Sequence, residues 1–337
     1  MPEHQRQPVF QRNQALEELL AEINTLLAPA EKQLVEKVTV PQHPTIIVVG
    51  APRSGTTLLM QWLASLGYFA YPTNLLSRFF GAPAVGAKIQ LLLTDPRYNF
   101  NDEFFDFSTP VAFESNLGKT QGVLAPNEFW YFWRRFIPNE EPRPLSDEEL
   151  KAIDGEGLVA ELAAIESVFE KPFAMKGLIM EFNIPSLFHI LPKALFINIR
   201  RHPLYNIQSL LEAREKYYGT RQGWYSVKPA EYEMLKGLHP IEQVTGQVYY
   251  TNRAIQQGLD QIHPSNVISI RYEDFCAAPS DLFNLIRSHF TLLGDSLNGE
   301  YQGPTQFEPR NHLRLSDNEI AMIMASYERF SGEKLSV

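Results

Sequence analysis

Apolar residues follow two different spacings along this chain, and each spacing predicts a different element. Between residues 13 and 35 they recur every three or four positions, as expected of an amphipathic helix. These residues are Leu16, Leu19, Leu20, Ile23, Leu26 and Leu27. The segment lacks the lysine-rich polar face of a membrane-surface helix. We therefore expect this helix to pack on the rest of the protein rather than on a membrane or a second copy.

A short apolar run rich in β-branched residues at 45–50, TIIVVG, marks the start of the main domain. Such runs are typical of strands buried on both faces of a parallel sheet. Similar runs occur at 173–177 (FAMKG), 194–199 (ALFINI) and 267–272 (VISIRY). Helical patterns alternate with these runs, at 54–67, 75–93, 147–170, 200–216, 240–262, 280–293 and after Ser316. The alternation predicts a three-layer α/β domain with a central parallel sheet and P-loop-type topology.

The stretch 94–145 has a different character, because it is rich in aromatic residues, proline and asparagine and shows no sustained period. We predict loops here, with one short helix around EFWYFWRRF at 128–136. Five consecutive aromatic residues, at 129–133, belong to that segment. They could form an apolar wall for a ligand, and they could equally pack in the core.

Composition narrows the classes of function. The chain has 30 basic and 39 acidic residues and a net charge of -9, which argues against nucleic acid or an anionic membrane as the main partner. Cys276 is the only cysteine, so an intrachain disulfide is excluded and a reducing compartment is compatible. The first dozen residues, MPEHQRQPVFQR, have no apolar core, and no window reaches transmembrane length. We therefore expect no secretory signal, no transmembrane segment and a cytoplasmic location.

The turn after the first strand carries the strongest chemical motif. It reads Gly50-Ala51-Pro52-Arg53-Ser54-Gly55-Thr56-Thr57 and precedes a predicted helix. In this context backbone N–H groups and a helix N-terminus surround an anion. The glycines permit close approach, the hydroxyls can donate to phosphate oxygens, and Arg53 adds a positive charge. A Walker A loop would have lysine after its second glycine, whereas this loop has Thr56, so we predict phosphate binding of a different kind.

This loop resembles the 5'-phosphosulfate loop of sulfotransferases that use 3'-phosphoadenosine-5'-phosphosulfate (PAPS). The resemblance implies donor binding by Pro52, Arg53, Ser54, Gly55, Thr56 and Thr57. In that family a second strand ends in an arginine, followed eight residues later by a serine, and the two bind the 3'-phosphate. Arg201 and Ser209 have that spacing after the predicted strand ALFINI. Both can face one crevice, because one leaves a strand end and the other lies two turns into the next helix.

Two later segments extend the resemblance. VISIRYEDF, 267–275, is similar to the strand and tail that close the sheet in bacterial and tyrosylprotein-type sulfotransferases. EPRNHLRLSDNEI, 308–320, resembles a late segment that folds back over the nucleotide, which implies a donor contact for Arg310. The resemblance covers roughly residues 45 to 330 in motif order. It implies an N-terminal helical extension at 1–40 and a sulfotransferase domain at 41–337, with an acceptor-binding insert at about 94–145.

Sulfuryl transfer needs in-line attack, positive groups on the oxygens that gain charge, and a base for the acceptor proton. The resemblance implies electrophilic stabilisation by Arg53. It also implies that Lys176 lies near the transferred group, although a lysine at the end of a short strand is also common as a solvated charge. His189, His202 and His312 show no metal-ligand spacing. We therefore expect no metal.

The identity of the base is open. Relatives often carry a glutamate soon after the first helix, where this chain has Asn74, and no histidine occurs between residues 44 and 188. We hypothesise Glu114 or Glu128, because both lie in the irregular aromatic region where an acceptor would dock. Each glutamate could instead be structural.

Three functions follow from the sequence. The first is a PAPS-dependent sulfotransferase acting on a hydroxyl or amine of a carbohydrate, lipid, peptide or small natural product. The second is a P-loop kinase-like phosphotransferase, which the missing Walker lysine argues against. The third is a non-catalytic nucleotide-binding protein that kept the donor loops. The sequence specifies neither the acceptor nor the oligomeric state.

Overall fold

The four predicted strands form one parallel sheet. In the computed structural model, which describes residues 6–98, 112–139 and 141–335, the strands are β1 (Ile46–Val49), β2 (Ala174–Lys176), β3 (Leu195–Arg200) and β4 (Val267–Arg271). Their order is β2-β1-β3-β4, and every neighbouring pair is parallel. The prediction of a parallel central sheet is confirmed.

Helices connect the strands and flank the sheet. They are α1 (Gln14–Val35), α2 (Thr56–Ser65), α3 (Pro83–Thr94), α4 (Trp130–Phe136), α5 (Asp147–Lys151), α6 (Gly155–Phe169), α7 (Ile184–Ile190), α8 (Pro203–Tyr218), α9 (Tyr232–Leu235), α10 (Pro240–Leu259), α11 (Tyr272–Ala277), α12 (Pro279–Leu292) and α13 (Asp317–Ser331). Short 3-10 turns lie between them, including Leu76–Phe79 and Leu178–Phe182.

Alternate residues of each strand face two separate cores, which makes the domain three-layered. Ile47 and Val49 of β1 pack with residues of α4, α6 and α7. Ile46 and Val48 pack on the opposite face with residues of α2, α11 and α12. Because both faces are covered, all four residues of β1 are buried, which explains the continuous apolar run in the sequence. A third apolar cluster joins α8, α10 and α13.

The N-terminal helix α1 packs against α3 and α6. Glu31 of α1 accepts hydrogen bonds of 2.9 Å from the backbone nitrogens of Ala84 and Val85, in the first turn of α3. These are N–H groups that a helix cannot satisfy internally, so Glu31 acts as a cap supplied by another helix. Burial raises the pKa of Glu31 to about 7, although the two hydrogen bonds oppose this shift. Leu19 and Leu26, in contrast, stay exposed.

One predicted helix is wrong in its extent. A helical pattern at 147–170 predicted one helix, but α5, which opens with a capping box at Ser146, ends at Lys151 and α6 begins separately at Gly155. Asp154 caps α6 by accepting a hydrogen bond of 2.9 Å from the backbone nitrogen of Gly157. The chain therefore turns where the sequence pattern suggested a continuous helix from 147 to 170.

The insert predicted at 94–145 is only partly described, since residues 99–111 and 140 lie outside the described ranges. Its described part includes α4 and the loops on either side. Among the described residues, no helix combines the length and apolar character needed to cross a membrane.

Candidate functional site

The loop after β1 depends on its two glycines. Gly50 has φ +156° and Gly55 has φ +112°. A Cβ atom on Gly50 would lie 2.5 Å from the carbonyl oxygen of Ile199, and one on Gly55 would lie 2.5 Å from a ring carbon of Tyr272. Both distances are shorter than real Cβ contacts, so the loop fits between β3 and α11 only with glycine at these positions.

Polar atoms in this loop remain available for a ligand. The hydroxyl of Ser54 is buried and, among the described residues, has no hydrogen-bond partner. Asn206 donates a hydrogen bond of 2.6 Å from Nδ2 to the carbonyl oxygen of Pro52, while its Oδ1 is buried without a partner. Buried polar groups are normally satisfied. The loop leads directly into α2, whose first residue is Thr56, so the N-terminus of that helix lies beside these polar atoms of the loop.

The structure brings Arg53, Arg201 and Ser209 together. Arg201 follows the last residue of β3, and Ser209 lies on α8. Arg53 donates a hydrogen bond of 3.2 Å from Nε to Oγ of Ser209. Arg201 donates one of 3.3 Å from its guanidinium to the carbonyl oxygen of Arg53. The two phosphate motifs predicted from separate parts of the sequence therefore form one continuous surface.

Arg201 is held by neutral oxygen atoms. Besides the carbonyl of Arg53, it donates to Oδ1 of Asn311 at 2.9 Å and to the carbonyl oxygen of Arg310. Its guanidinium also lies 5.0 Å from the ring centre of Tyr272. Burial lowers the pKa of Arg201 from its usual value. A half-buried guanidinium whose hydrogen-bond partners are neutral favours an anion nearby.

Arg310 reaches this surface through its backbone. Its carbonyl accepts from Arg201 and its nitrogen donates to the hydroxyl of Tyr272 at 3.2 Å, while its side chain is exposed. Gln208 of α8 fixes the same segment, because its amide bonds the carbonyl of His312 at 2.8 Å and the nitrogen of Arg314 at 2.7 Å. The segment lies over Arg201, and a donor contact by the Arg310 side chain stays a prediction.

Lys176 connects the phosphate loop to an acidic residue. Its Nζ donates hydrogen bonds of 3.0 Å to Oγ1 of Thr57 and 2.9 Å to Oε1 of Glu128. Lys176 is the last residue of β2, and its side chain is only 8% exposed. The prediction that this lysine lies at the site rather than in solvent is therefore consistent with its position.

Glu128 is ionised in this arrangement. Burial opposes ionisation, but the charge and hydrogen bond of Lys176 outweigh it and hold the pKa of Glu128 below its usual range. Nε1 of Trp130 donates a further hydrogen bond of 2.8 Å to the second carboxylate oxygen. The carboxylate is thus fixed in orientation beside the phosphate loop.

A second buried carboxyl group, Glu181, lies in the same neighbourhood. It is 6% exposed and belongs to the 3-10 turn Leu178–Phe182 that follows β2. Burial raises the pKa of Glu181 to about 8, with Glu128 adding to the shift and Lys176 opposing it. At neutral pH the site therefore holds one ionised carboxylate, Glu128, and one protonated carboxyl group, Glu181.

Glu114 was the other hypothesised base. Gln61 holds its backbone carbonyl through a hydrogen bond of 2.8 Å, and its side chain is exposed. Asn74 holds loop backbone, since its Nδ2 donates a hydrogen bond of 2.9 Å to the carbonyl oxygen of Gly122. Of the two hypothesised bases, Glu128 is the one that the structure places beside the phosphate loop.

The aromatic run at 129–133 divides between core and site. Phe129, Phe132 and Trp133 are buried, and the first two rings stack with centres 4.5 Å apart. Tyr131 donates to Glu17 of α1 at 2.7 Å. Two residues of the run contact the site: Trp130 donates to Glu128, and Nε1 of Trp133 donates a hydrogen bond of 3.1 Å to the backbone carbonyl of Lys176. Residues 6–98, 112–139 and 141–335 contain no group of three or more His, Cys, Asp or Glu able to hold a metal ion.

The comparisons with known proteins agree with this architecture. A model of the sulfotransferase family matches residues 44–292, and the chain therefore belongs to that family. It is similar to the solved structure of sulfotransferase STF9 from Mycobacterium avium, with 16% identity, a TM-score of 0.56 and coverage of 98% of this chain and 89% of that chain. It is also similar to sulfotransferase STF1 from Mycobacterium tuberculosis H37Rv, with 16% identity, a TM-score of 0.49 and coverage of 93% and 84%. A comparison with curated protein sequences gives no match.

Sequence reasoning missed several residues at this site. Glu181 is a single acidic residue in the apolar segment GLIMEF, and an isolated charge in an apolar segment is a signal that could have identified it. Tyr272 is the last residue of the predicted strand 267–272 and follows directly after β4, at the strand end where ligand-facing residues of parallel sheets collect. Asn206 carried no local signal, because its position at the loop depends on a distant part of the chain.

Proposed function

We propose that this protein transfers a sulfuryl group from PAPS to a hydroxyl or amine acceptor by in-line displacement. The observation that carries the proposal is the group formed by Thr57, Lys176 and Glu128 at the mouth of the loop after β1. It combines a hydroxyl at a helix N-terminus, a cation and an ionised carboxylate. Family membership indicates the class of reaction, and these three side chains could carry out its proton transfer and charge stabilisation.

The loop residues are suited to the 5'-phosphosulfate end of the donor. We assign binding to the backbone and hydroxyls of Ser54, Gly55, Thr56 and Thr57, with Pro52 shaping the turn. The unpartnered hydroxyl of Ser54 and the space that only glycine leaves at Gly55 both fit an anion. When bound, the donor supplies an activated sulfuryl group and a phosphate leaving group.

Arg201 and Ser209 are suited to the 3'-phosphate. Arg201 offers a half-buried guanidinium with neutral hydrogen-bond partners, and guanidinium groups bind phosphate through two parallel N–H groups. Arg53 lies between the two phosphate regions because its Nε contacts Ser209 while its backbone belongs to the loop. We therefore assign Arg53 to charge stabilisation at the leaving phosphate.

Lys176 and Glu128 are assigned the reacting positions. Lys176 shares its ammonium group between Thr57 and Glu128. When the ammonium turns toward an anion beside Thr57, the Glu128 carboxylate loses part of its counter-charge and becomes a stronger base. Glu128 then accepts the proton of the attacking acceptor, while Lys176 stabilises charge on the sulfuryl oxygens.

Two other functions predict different observations. A P-loop kinase would require magnesium and ATP, and this loop lacks the Walker lysine. A non-catalytic nucleotide-binding protein would bind the donor without turnover, whereas the ionised Glu128 beside Lys176 offers a base for the acceptor proton. We propose that the insert at 94–145 binds the acceptor.

Calorimetric titration with 3'-phosphoadenosine-5'-phosphate (PAP), ATP and AMP tests the proposal. We expect micromolar-order binding of PAP, about -8 kcal/mol, without a requirement for magnesium, and weaker binding of ATP and AMP. A preference for magnesium and ATP would favour the kinase. Tight PAP binding with no conversion of PAPS to PAP in any condition would favour the non-catalytic protein.

A further inference from the structure

A tight turn covers the reacting group. Asn116 and Lys119 exchange backbone hydrogen bonds of 2.8 and 3.0 Å, and the two residues between them have positive φ, +52° for Leu117 and +86° for Gly118. Positive φ at both central residues defines a type I′ turn. Glycine adopts this conformation freely, but leucine does so at a cost of about 1–2 kcal/mol. Other contacts must therefore hold Leu117 in place.

The tip of this turn lies against the site. A Cβ atom on Gly118 would lie 3.4 Å from Oε1 of Glu128 and 3.6 Å from Oγ1 of Thr57. These are the same two oxygen atoms that accept hydrogen bonds from Lys176. The turn 116–119 therefore forms a wall directly beside the group to which we assign catalysis.

Tyr225 holds the turn from a distant part of the chain. Its hydroxyl donates a hydrogen bond of 3.3 Å to the carbonyl oxygen of Leu117. The phenol stays protonated at any ordinary pH, because burial raises its pKa well above the usual value and the charge of Glu128 adds to this shift. The side chains of Leu117 and Tyr225 both pack against the third apolar cluster. The contact thus fixes the strained residue of the turn.

Tyr225 is itself rigidly held. Gln247 of α10 donates hydrogen bonds of 2.8 Å to the backbone carbonyl of Tyr225 and 2.7 Å to that of Val227. Oε1 of Gln247 accepts from the guanidinium of Arg214 at 3.1 Å. Arg214 is fully buried and also lies 4.8 Å from the ring centre of Trp224. The segment that carries Tyr225 is therefore anchored to α8 and α10, so the Tyr225 hydroxyl that bonds Leu117 is held in a fixed position.

We propose that Tyr225 is a positioning residue whose hydroxyl keeps the turn 116–119 closed over Thr57, Lys176 and Glu128, and that the closed turn excludes bulk water from the reacting group. The inference rests on the proposed function. It extends that function by naming the element that separates transfer to the acceptor from transfer to water. Exclusion of water from a reacting centre suppresses hydrolysis of an activated group.

The test compares Tyr225→Phe with Tyr68→Phe in the full-length protein. Tyr225→Phe removes only the hydroxyl that holds Leu117. Tyr68→Phe is the matched control, because the Tyr68 hydroxyl also donates to a backbone carbonyl, that of Glu300 at 2.7 Å, away from the site. Three quantities are measured for both variants and the wild type. They are amide hydrogen exchange in the peptide 113–122, PAP affinity, and sulfate release from PAPS without an acceptor.

Sulfate release without an acceptor is the reaction that the wall should suppress. The oxygen of water forms the new bond to sulfur, and the bond between sulfur and the phosphate oxygen of PAPS breaks. The products are sulfate, PAP and the two protons that the water gives up. A change in this rate at constant PAP affinity is a readout that a merely structural role of Tyr225 would not produce.

In Tyr225→Phe we expect the amide hydrogens of the turn to exchange about fivefold faster than in the wild type, and sulfate release to be about fivefold faster as well. A factor of this size corresponds to the loss of one ordinary hydrogen bond. PAP affinity should not change, and Tyr68→Phe should match the wild type. Unchanged exchange, or faster exchange without faster sulfate release, would overturn the inference while PAP binding leaves the proposed function intact. If even the wild type fails to bind PAP, the proposed function fails and the inference fails with it.

Discussion

Nζ of Lys176 lies 2.9 Å from Oε1 of Glu128, although 48 residues separate them in the sequence. The lysine ends the edge strand β2 and the glutamate precedes α4. Their contact joins the sheet to the aromatic insert at the phosphate loop. The roles assigned to the two residues depend on each other, because each sets the charge environment of its partner.

Substitution of Glu128 by glutamine should remove the base while leaving the donor site intact. We expect PAP formation from PAPS to fall about 10²–10⁴-fold, the usual range for loss of a general base, with unchanged PAP affinity. Glu114→Gln is the matched control, since that carboxylate is exposed and its backbone alone is held by Gln61. A larger loss in Glu114→Gln than in Glu128→Gln would reverse the assignment of the base.

Substitution of Lys176 by methionine should act on both catalysis and pH dependence. We expect about 10²-fold slower PAP formation, as for removal of one charge-stabilising donor. Lys176 holds the pKa of Glu128 below its usual range, so in Lys176→Met the carboxylate should protonate at higher pH. The acid limb of the pH–rate profile should therefore move toward neutrality. Lys176→Arg keeps the positive charge, so the acid limb of its pH–rate profile should stay near that of the wild type. An acid limb that does not move in Lys176→Met would contradict the claim that Lys176 lowers the pKa of Glu128.

Substitution of Glu181 by glutamine should change how stability depends on pH. The native state keeps the proton of Glu181 up to about pH 8, whereas the unfolded chain releases it near the usual value of 4.5. The wild type therefore loses stability as pH rises through this window, because the folded state binds the additional proton. Glu181→Gln cannot ionise, so its free energy of unfolding should rise relative to the wild type by roughly 2–4 kcal/mol between pH 5 and 8.

Urea denaturation at several pH values measures this difference. Glu31, whose pKa burial raises to about 7, contributes equally to both proteins and cancels in the comparison. A difference between Glu181→Gln and the wild type that stays constant from pH 5 to 8 would show that Glu181 ionises normally in the folded protein.

Substitution of Gly55 by alanine should lower the free energy of unfolding more than the same substitution at Gly67. Both glycines have positive φ, +112° and +74°, so both variants carry the cost of a left-handed residue. Only at Gly55 does the new Cβ meet another residue, the Tyr272 ring at 2.5 Å, while nothing lies within 4 Å at Gly67. We expect a further loss of about 1–3 kcal/mol in the free energy of unfolding for Gly55→Ala. Equal losses in urea denaturation would show that the ring moves aside freely.

The parallel sheet was predictable from the sequence because its strands are short and buried on both faces. Ile46–Val49 and Leu195–Arg200 are almost entirely apolar up to their ends, and this pattern is local. The break between α5 and α6 was missed because it lies inside a sustained helical pattern, and the capping by Asp154 becomes visible only once the chain has turned.

The site was predictable only in its separate parts. The phosphate loop and Arg201 carry local signals, a strand followed by a motif of fixed spacing. The contact between Lys176 and Glu128 depends on how the aromatic insert folds back onto β2, which no local pattern encodes. Tyr225 lies in a segment with no regular period, and its contact with Leu117 joins residues 108 positions apart.

The most direct test of the central claim is the affinity difference between PAP and AMP, measured by calorimetry in the wild type, Arg201→Ala and Arg200→Ala. AMP lacks the 3'-phosphate assigned to Arg201, and Arg200 is the exposed neighbouring arginine at the end of β3. We predict that the wild type and Arg200→Ala bind PAP at least about tenfold, 1.4 kcal/mol, more tightly than AMP, and that Arg201→Ala loses this preference. Equal affinities for PAP and AMP in the wild type, or a preference that survives in Arg201→Ala, would contradict the account.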